Sequence, residues 1–381
     1  MSTRHPVCHS KSQTIAFLTL GIALGTPSVV LANVGTPLIW ATIFHLYVGN
    51  AFIGILEGTL LARVYIVPAS RAVGLMILAN YFSAWVGWAW LSGLLQDRAD
   101  LNLYNAWTFI WGIVLVAYVA TLLIEWPFVA GCFRGRENWF RKSCGASLLV
   151  QTVSYVLLFG WFYLVGVNSL LTDATIVSLD KIPLPSDVRV YYIAEADGDV
   201  YSMKLDTGLS EKVFDLNSRD DADCLSFEDS ESQKGSQEIV SLLESGDVKT
   251  GIFVPKDACP QYDDHNVLRT SRFARAGIAQ GIAAKLGTAF NSPWESNAGY
   301  WAAQGLSGEN SKTGDYFRLA LETPFIQWSV RHAMVLPTNK VLFQLGKRQI
   351  CIFDPETRKL AVLSFGRGAV AVLEHSSSQS P

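Results

Sequence analysis

Two carboxylates stand out because each interrupts a long apolar run. Glu57 lies in the run 38–62 and Glu125 in the run 107–131. A charge in hydrocarbon is costly, so an ionisable residue there is expected to have a partner and a role. Amide side chains stand in the two other apolar runs, Asn80 in 73–95 and Gln151 in 145–170. Counted from the end of each run that borders a basic loop, Glu57 is five positions in, Asn80 seven, Glu125 six and Gln151 six. At 1.5 Å per residue all four sit about 8–10 Å inside that end. The expected arrangement is a Glu57/Asn80/Glu125/Gln151 layer across a helical bundle. Two carboxylates in one low-dielectric layer do not both ionise readily, so one keeps its proton or a cation bridges them. The layer is then a proton- or cation-linked site. The reading favoured over it is helix–helix glue, with Glu57 or Glu125 reaching Arg63, Arg71 or Arg134.

Other residues around the layer carry less chemistry. Asn50, Gly54, Glu57 and Gly58 share one helical face, and Gly54-x-x-x-Gly58 is a small-xxx-small pair that lets a second helix approach closely. Ser83 and Gly87 follow Asn80 at helical spacing, Thr121 precedes Glu125, and Ser147 and Tyr155 flank Gln151. His45 stands alone towards the other end of its run, where packing explains it better than ligation. No second histidine falls in any apolar run, which argues against a haem or His-rich metal site. Further along, Asp263, Asp264 and His265 adjoin in sequence, and a solvated loop explains them better than a metal or catalytic cluster. Asp215, Asn217, Asp220, Asp221 and Asp223 have the composition of a calcium loop. Arg219 stands where an oxygen ligand is needed, Asp220 replaces the turn glycine and Ser226 replaces the bidentate Glu, so a solvated acidic loop is expected. Gly-x-Ser-x-Gly, phosphate-cradling and His-Glu-x-x-His motifs are absent. No catalytic residue, metal ligand or cofactor is expected.

The elements that must position these groups follow from charge. The chain has 381 residues, of which 17% are charged and 50% hydrophobic, against about 25% charged in a typical soluble domain. Residues 33–171 hold only seven basic and five acidic residues, and nine of the twelve Trp. Residues 172–381 hold 21 basic and 28 acidic residues. This excludes a disordered chain and a nucleic-acid binder driven by basic charge. The four apolar runs are each long enough to cross a bilayer of about 30 Å. Arg63 and Arg71 mark the first loop, and Arg134, Arg136, Arg141 and Lys142 mark the third, so both are expected to face the cytoplasm. The second loop and the acidic half then face outward. Residues 1–32 resemble a cleaved signal peptide: Arg4 and Lys11 precede an apolar stretch broken by Pro27, and Val30-Leu31-Ala32 offers a cut before Asn33. An uncleaved first span is the alternative.

The acidic half alternates like an antiparallel β-domain, from Val188–Ala194 to Ala369–Leu373, with turn signals at Asp197-Gly198, Asp206-Thr207-Gly208 and Asp354-Pro355-Glu356-Thr357. Two strand–turn–strand hairpins, near 200–214 and 350–362, resemble those of propeller blades. A β-sandwich is equally consistent with the length. Residues 266–315 interrupt the pattern. Ala274, Ile278, Ile282, Leu286 and Phe290 recur every four residues, which predicts a basic amphipathic helix followed by a loop over 291–315. Cys132 and Cys144 flank the basic third loop and are expected to stay reduced. Cys224 and Cys259 form a candidate disulfide around the acidic segment, while Cys351 reads as a buried thiol.

The expected molecule is a multi-pass protein of a bacterial inner membrane. It comprises a signal peptide (1–32), a four-helix transmembrane bundle (33–171) and an extracytoplasmic all-β domain (172–381), sandwich or propeller-like, with an insertion at about 266–315. Membrane lipid surrounds the bundle, and the β-domain meets a protein partner or small ligand. The leading functional reading is interaction or ligand sensing by that domain. The second is a small transporter or ion-coupled component using Glu57 and Glu125, and a membrane enzyme ranks last.

Overall fold

The structure is a computed structural model that describes residues 36–95, 101–230, 232–243, 246–261, 281–282, 284–286, 292–299 and 301–374. The expected signal peptide, the charged residues Asp97, Arg98 and Asp100, and the Asp263–His265 cluster lie outside the described residues.

Four long helices build the first part: α1 (Pro37–Tyr65), α2 (Ala69–Leu95), α3 (Ala106–Cys132) and α4 (Trp139–Val165). Thr36 caps α1 by accepting a hydrogen bond from Ile39 N at 3.3 Å, and Pro37 fits the first turn because its missing N–H has no helical partner there. A π-turn over His45–Gly49 interrupts α1, and its displaced carbonyls take side-chain donors: Asn50 Nδ2 bonds Leu46 O at 3.0 Å and Tyr81 Oη bonds Tyr47 O at 2.5 Å. His45 packs edge-on against Phe162. Helices α1, α3 and α4 are long and apolar enough to cross a membrane. Helix α2 matches α3 and α4 in length, at 27 residues. Outward faces display large apolar side chains, among them Phe52, Leu78, Leu115, Leu123, Val156 and Leu164. So continuous an apolar surface suits lipid rather than water.

The helices pack in a ring, α1 on α2, α2 on α3, α3 on α4 and α4 back on α1. The tightest seam joins α1 to α2. A Cβ on Gly54 would lie 2.6 Å from Ile77 Cα, and one on Gly58 only 2.4 Å from Val73 Cα. At the basic-loop end Leu61, Met76, Val129, Phe133 and Val150 form an apolar plug. There the Arg136 guanidinium donates to Tyr65 O at 2.9 Å and Ile66 O at 2.7 Å, satisfying carbonyls at the end of α1.

The second part is an antiparallel β-region. After a short helix, α5 (Ser169–Thr172), the chain forms β1 (Thr175–Ile176), β2 (Val188–Ala194), β3 (Val200–Lys204), β4 (Ser210–Phe214), β5 (Cys224–Asp229), β6 (Ser236–Leu242) and β7 (Val248–Pro255). Next come β8 (Pro260–Gln261), β9 (Gly281–Ile282), β10 (Ala284–Leu286), β11 (Trp294–Ala298), β12 (Leu306–Asn310) and β13 (Tyr316–Leu319). The last six are β14 (Leu321–Glu322), β15 (Gln327–Trp328), β16 (Val330–Val335), β17 (Val341–Leu345), β18 (Gln349–Asp354) and β19 (Lys359–Leu373). The main sheet runs β4-β3-β2-β19-β18-β17-β16-β10-β8, with β1 added in parallel to β19; β5–β7 form a separate three-stranded sheet. Strands β17 and β18 are buried along their whole length, with apolar clusters on both faces.

Three sequence expectations are corrected here. The helix over 274–290 is not seen where the chain is described, because Gly281–Ile282 and Ala284–Leu286 are strands; Ala274, Ile278 and Phe290 lie outside the described residues. The loop over 291–315 contains the hairpin β11–β12, whose residues alternate between buried and less buried. The disulfide is absent: Cys224 and Cys259 are both thiols. Strand alternation explains why. Cys224 shares a face of the β5–β6 hairpin with Val240 and Leu242, whereas Cys259 packs with Leu225, Phe227 and Ile239 on the other face. Burial, with Asp257 nearby, pushes the Cys259 thiol up to about 12.

The β-region sits on the bundle end opposite the basic loops. Leu103 N, just before α3, donates to Gln349 Oε1 at 2.6 Å. Leu103, Ala106 and Ile110 join Leu170, Phe343 and Phe353 in one apolar cluster. Backbone of Val167, just after α4, pairs with Glu322.

Candidate functional site

The four polar residues singled out from sequence lie inside the bundle, all at least nine-tenths buried: Glu57, Asn80, Glu125 and Gln151. Two hydrogen-bonded pairs form. Asn80 Nδ2 donates to Glu57 Oε2 at 2.6 Å, and Gln151 Nε2 donates to Glu125 Oε2. Two serines complete the set: Ser154 Oγ donates to Glu57 Oε1, and Ser83 Oγ to Glu125 Oε1 at 2.5 Å.

Each carboxylate oxygen therefore has one neutral donor. The carboxylates come from α1 and α3, and the donors from α2 and α4. Helical periodicity produces this economically, because Asn80 and Ser83, like Gln151 and Ser154, stand three residues apart on one face. Each donor helix thus offers one amide and one hydroxyl. The amide of Asn80 is fixed from behind by donation to Met76 O at 2.9 Å. No Lys or Arg among the described residues pairs with either carboxylate, so the anchoring of Glu57 or Glu125 by Arg63, Arg71 or Arg134 does not occur.

Neutral donors and a switchable hydroxyl allow specific chemistry. An amide N–H can only donate, so it suits the unprotonated oxygen. A serine hydroxyl can donate to a carboxylate or accept from a carboxylic acid. Each carboxyl can therefore gain or lose a proton on its serine side with its hydrogen-bond count preserved.

Ser154 was not read from the sequence, although its place three residues after Gln151 was the available signal. Ser143 was missed likewise. It is fully buried in the first turns of α4, where it accepts from Trp126 Nε1 at 3.2 Å and donates to Phe140 O at 2.9 Å. Ser147 lies between Ser143 and Gln151. Its hydroxyl is buried and has no hydrogen-bond partner among the described residues, which costs about 1–3 kcal/mol in the absence of water. Towards the β-region, Thr121 and Tyr155 share a hydrogen bond at 3.0 Å.

The acidic loop is engaged internally. Lys212 Nζ contacts Asp199 at 3.0 Å and Asp215 at 2.6 Å, and Ser218 Oγ donates to Asp223 at 2.5 Å. Backbone N–H groups of Asn217 and Leu216, with Lys212, hold the Asp199 carboxyl below the usual range. Among the described residues no group of three His, Cys, Asp or Glu side chains is placed to hold a metal. No family model, curated protein or solved structure matches the chain, so its function has to be read from the chemistry of the buried carboxyl layer.

Proposed function

We propose that the chain is a four-span integral membrane protein whose Glu57–Glu125 pair takes up and releases protons. Its β-region stands outside the cytoplasm of a bacterial inner membrane as a sandwich-like array and presents the surface met by a protein partner or small ligand. The observation that carries the proton reading is the donor set. Every carboxylate oxygen is engaged by a neutral donor, and one donor of each pair can reverse its hydrogen bond. A proton can join this arrangement with no hydrogen bond lost, because the serine turns from donor to acceptor. Helix α2 is the fourth span because only Ile66–Pro68 separates it from α1, against which it packs antiparallel along the glycine seam. Basic loops at one end and the β-region at the other support this orientation. Direct packing of the β-region on the start of α3 is the route by which protonation in the bundle would bias it.

Infrared difference spectroscopy of the full chain in lipid nanodiscs, between about pH 5 and about pH 9, tests this. A carboxylic-acid carbonyl band should appear on acidification and vanish in the Glu57→Gln, Glu125→Gln double variant. A band of full amplitude in that folded double variant would sink the proposal and leave the layer as helix–helix glue.

A further inference from the structure

The carboxyl layer has an internal two-fold pattern. Residues 74–83 read Gly-Leu-Met-Ile-Leu-Ala-Asn-Tyr-Phe-Ser, and residues 145–154 read Gly-Ala-Ser-Leu-Leu-Val-Gln-Thr-Val-Ser. Gly, Leu and Ser recur in place, and amide matches amide. Glu57 precedes the first stretch in α1 as Glu125 precedes the second in α3. The hydrogen bonds obey the same relation. Each Glu takes its amide donor from the next helix of its own hairpin, Asn80 or Gln151. Each takes its hydroxyl donor from the other hairpin, Ser154 or Ser83. Burial follows too, since Ala72, Met76 and Ala79 are buried on α2 as Ser143, Ser147 and Val150 are on α4.

The halves thus correspond at the level of the carboxyls and differ below it, towards the basic loops. Helix α2 there offers apolar Met76 and Ala72. Helix α4 offers two buried hydroxyls at the matching positions, and the Ser147 hydroxyl has no partner among the described residues. Ser143, Ser147 and Gln151 follow at four-residue steps, each about 6 Å along the axis of α4.

We propose that protons reach Glu125 from the basic-loop end along the α4 side of the bundle, past Ser143 and Ser147. This rests on the proton reading above and adds the route. A proton from bulk water passes along bridging waters and ends on the Glu125 carboxylate, giving the carboxylic acid; release retraces the path. The titratable groups facing the centre are Glu57 on α1, Glu125 on α3 and Tyr155 on α4, while α2 contributes neutral Asn80 and Ser83. Cys132 on α3 and Arg71 on α2 lie nearer the mouth.

The test is symmetrisation. Ser147→Met gives α4 the residue that α2 has at the matching position. After a caged-proton pulse on the full chain in nanodiscs, the infrared carboxyl band should rise about ten-fold more slowly in this variant. The amplitude and midpoint of the equilibrium titration should not change. Adding Met76→Ser conserves total core volume, places a hydroxyl on the opposite helix and should restore much of the rate. Ser147→Ala is the milder variant should the larger side chain prevent folding, and it too should slow the rise. Unchanged rates in Ser147→Met and Ser147→Ala overturn the route, as does a slowed rate that comes with a shifted midpoint. Persistence of the band in the Glu57→Gln, Glu125→Gln protein overturns the proton reading instead, so the two failures are distinguishable.

Discussion

Gly58→Leu is expected to prevent the bundle from assembling, and Gly58→Ala to destabilise it by about 3 kcal/mol, the upper range for overpacking a core. The reason is backbone, not side chain. A Cβ at Gly58 would lie 2.4 Å from Val73 Cα, and one at Gly54 2.6 Å from Ile77 Cα. A rotamer change cannot relieve either clash, so α1 and α2 would have to separate. Separation would also draw Glu57, which lies between the two glycines, away from Asn80 and leave a buried carboxyl short of a donor. Gly54→Ala should behave like Gly58→Ala. Gly74→Ala is the control: its Cβ would meet nothing within 4 Å, and alanine is favoured over glycine inside a helix by about 1 kcal/mol. Thermal unfolding of the purified chain in detergent reads all of these. A Gly58→Ala protein that melts with Gly74→Ala would show that the close seam does not bear on stability.

The glycine seam shows what was legible in the sequence and what was not. Spacing alone placed Gly54, Gly58 and Glu57 on one face, because helical period is a local property. Depth counting brought Glu57, Asn80, Glu125 and Gln151 to one level for the same reason. Which side chains pair depends on the order of helices around the ring, which no local pattern encodes: spacing puts Ser154 near the face of Gln151, but not against Glu57. The segment near 281–286 shows the opposite limit. Apolar residues every fourth position fit a helix, yet Gly281 and Gly287 weaken helix there, and pairing of Ala284 and Lys285 with β16 takes the backbone into a sheet. Long-range pairing overrode local period. The cysteine pair failed on a one-residue detail, because adjacent positions of a strand face opposite ways and Cys224 faces away from Cys259.

The second large effect is expected in the β-region, at Lys340 and Asp354. Lys340→Met should cost about 3 kcal/mol at neutral pH, because removing one partner of a buried ion pair leaves the other charge uncompensated. The two side chains are 6% and 2% exposed, with Nζ 3.1 Å from Oδ1. They close the end of the β17–β18 ladder, next to the Val341–Phe353 register pair. Asp354 also accepts from Thr357 Oγ1 at 2.7 Å and Glu356 N at 3.2 Å, which folds the Asp-Pro-Glu-Thr turn against the sheet. Burial raises the Asp354 carboxyl, but Thr357 and Lys340 outweigh it and hold the group below its ordinary value. A depressed carboxyl contributes stability above its unfolded value, near 3.9, and loses it as pH falls through the folded value. The wild-type chain should therefore lose this contribution only in acid. Without Lys340 the carboxyl is left buried beside neutral donors, and protonation relieves it. The stability gap between the two proteins should then be widest near neutrality and narrow as pH falls towards about 3. Replacing both residues, Lys340→Met with Asp354→Leu, should cost less than the single change, since no lone charge remains. Denaturant unfolding of the full chain, followed by tryptophan fluorescence across that pH range, measures the gap. A gap that stays constant with pH would show that Lys340 acts through packing of its stem rather than through its charge.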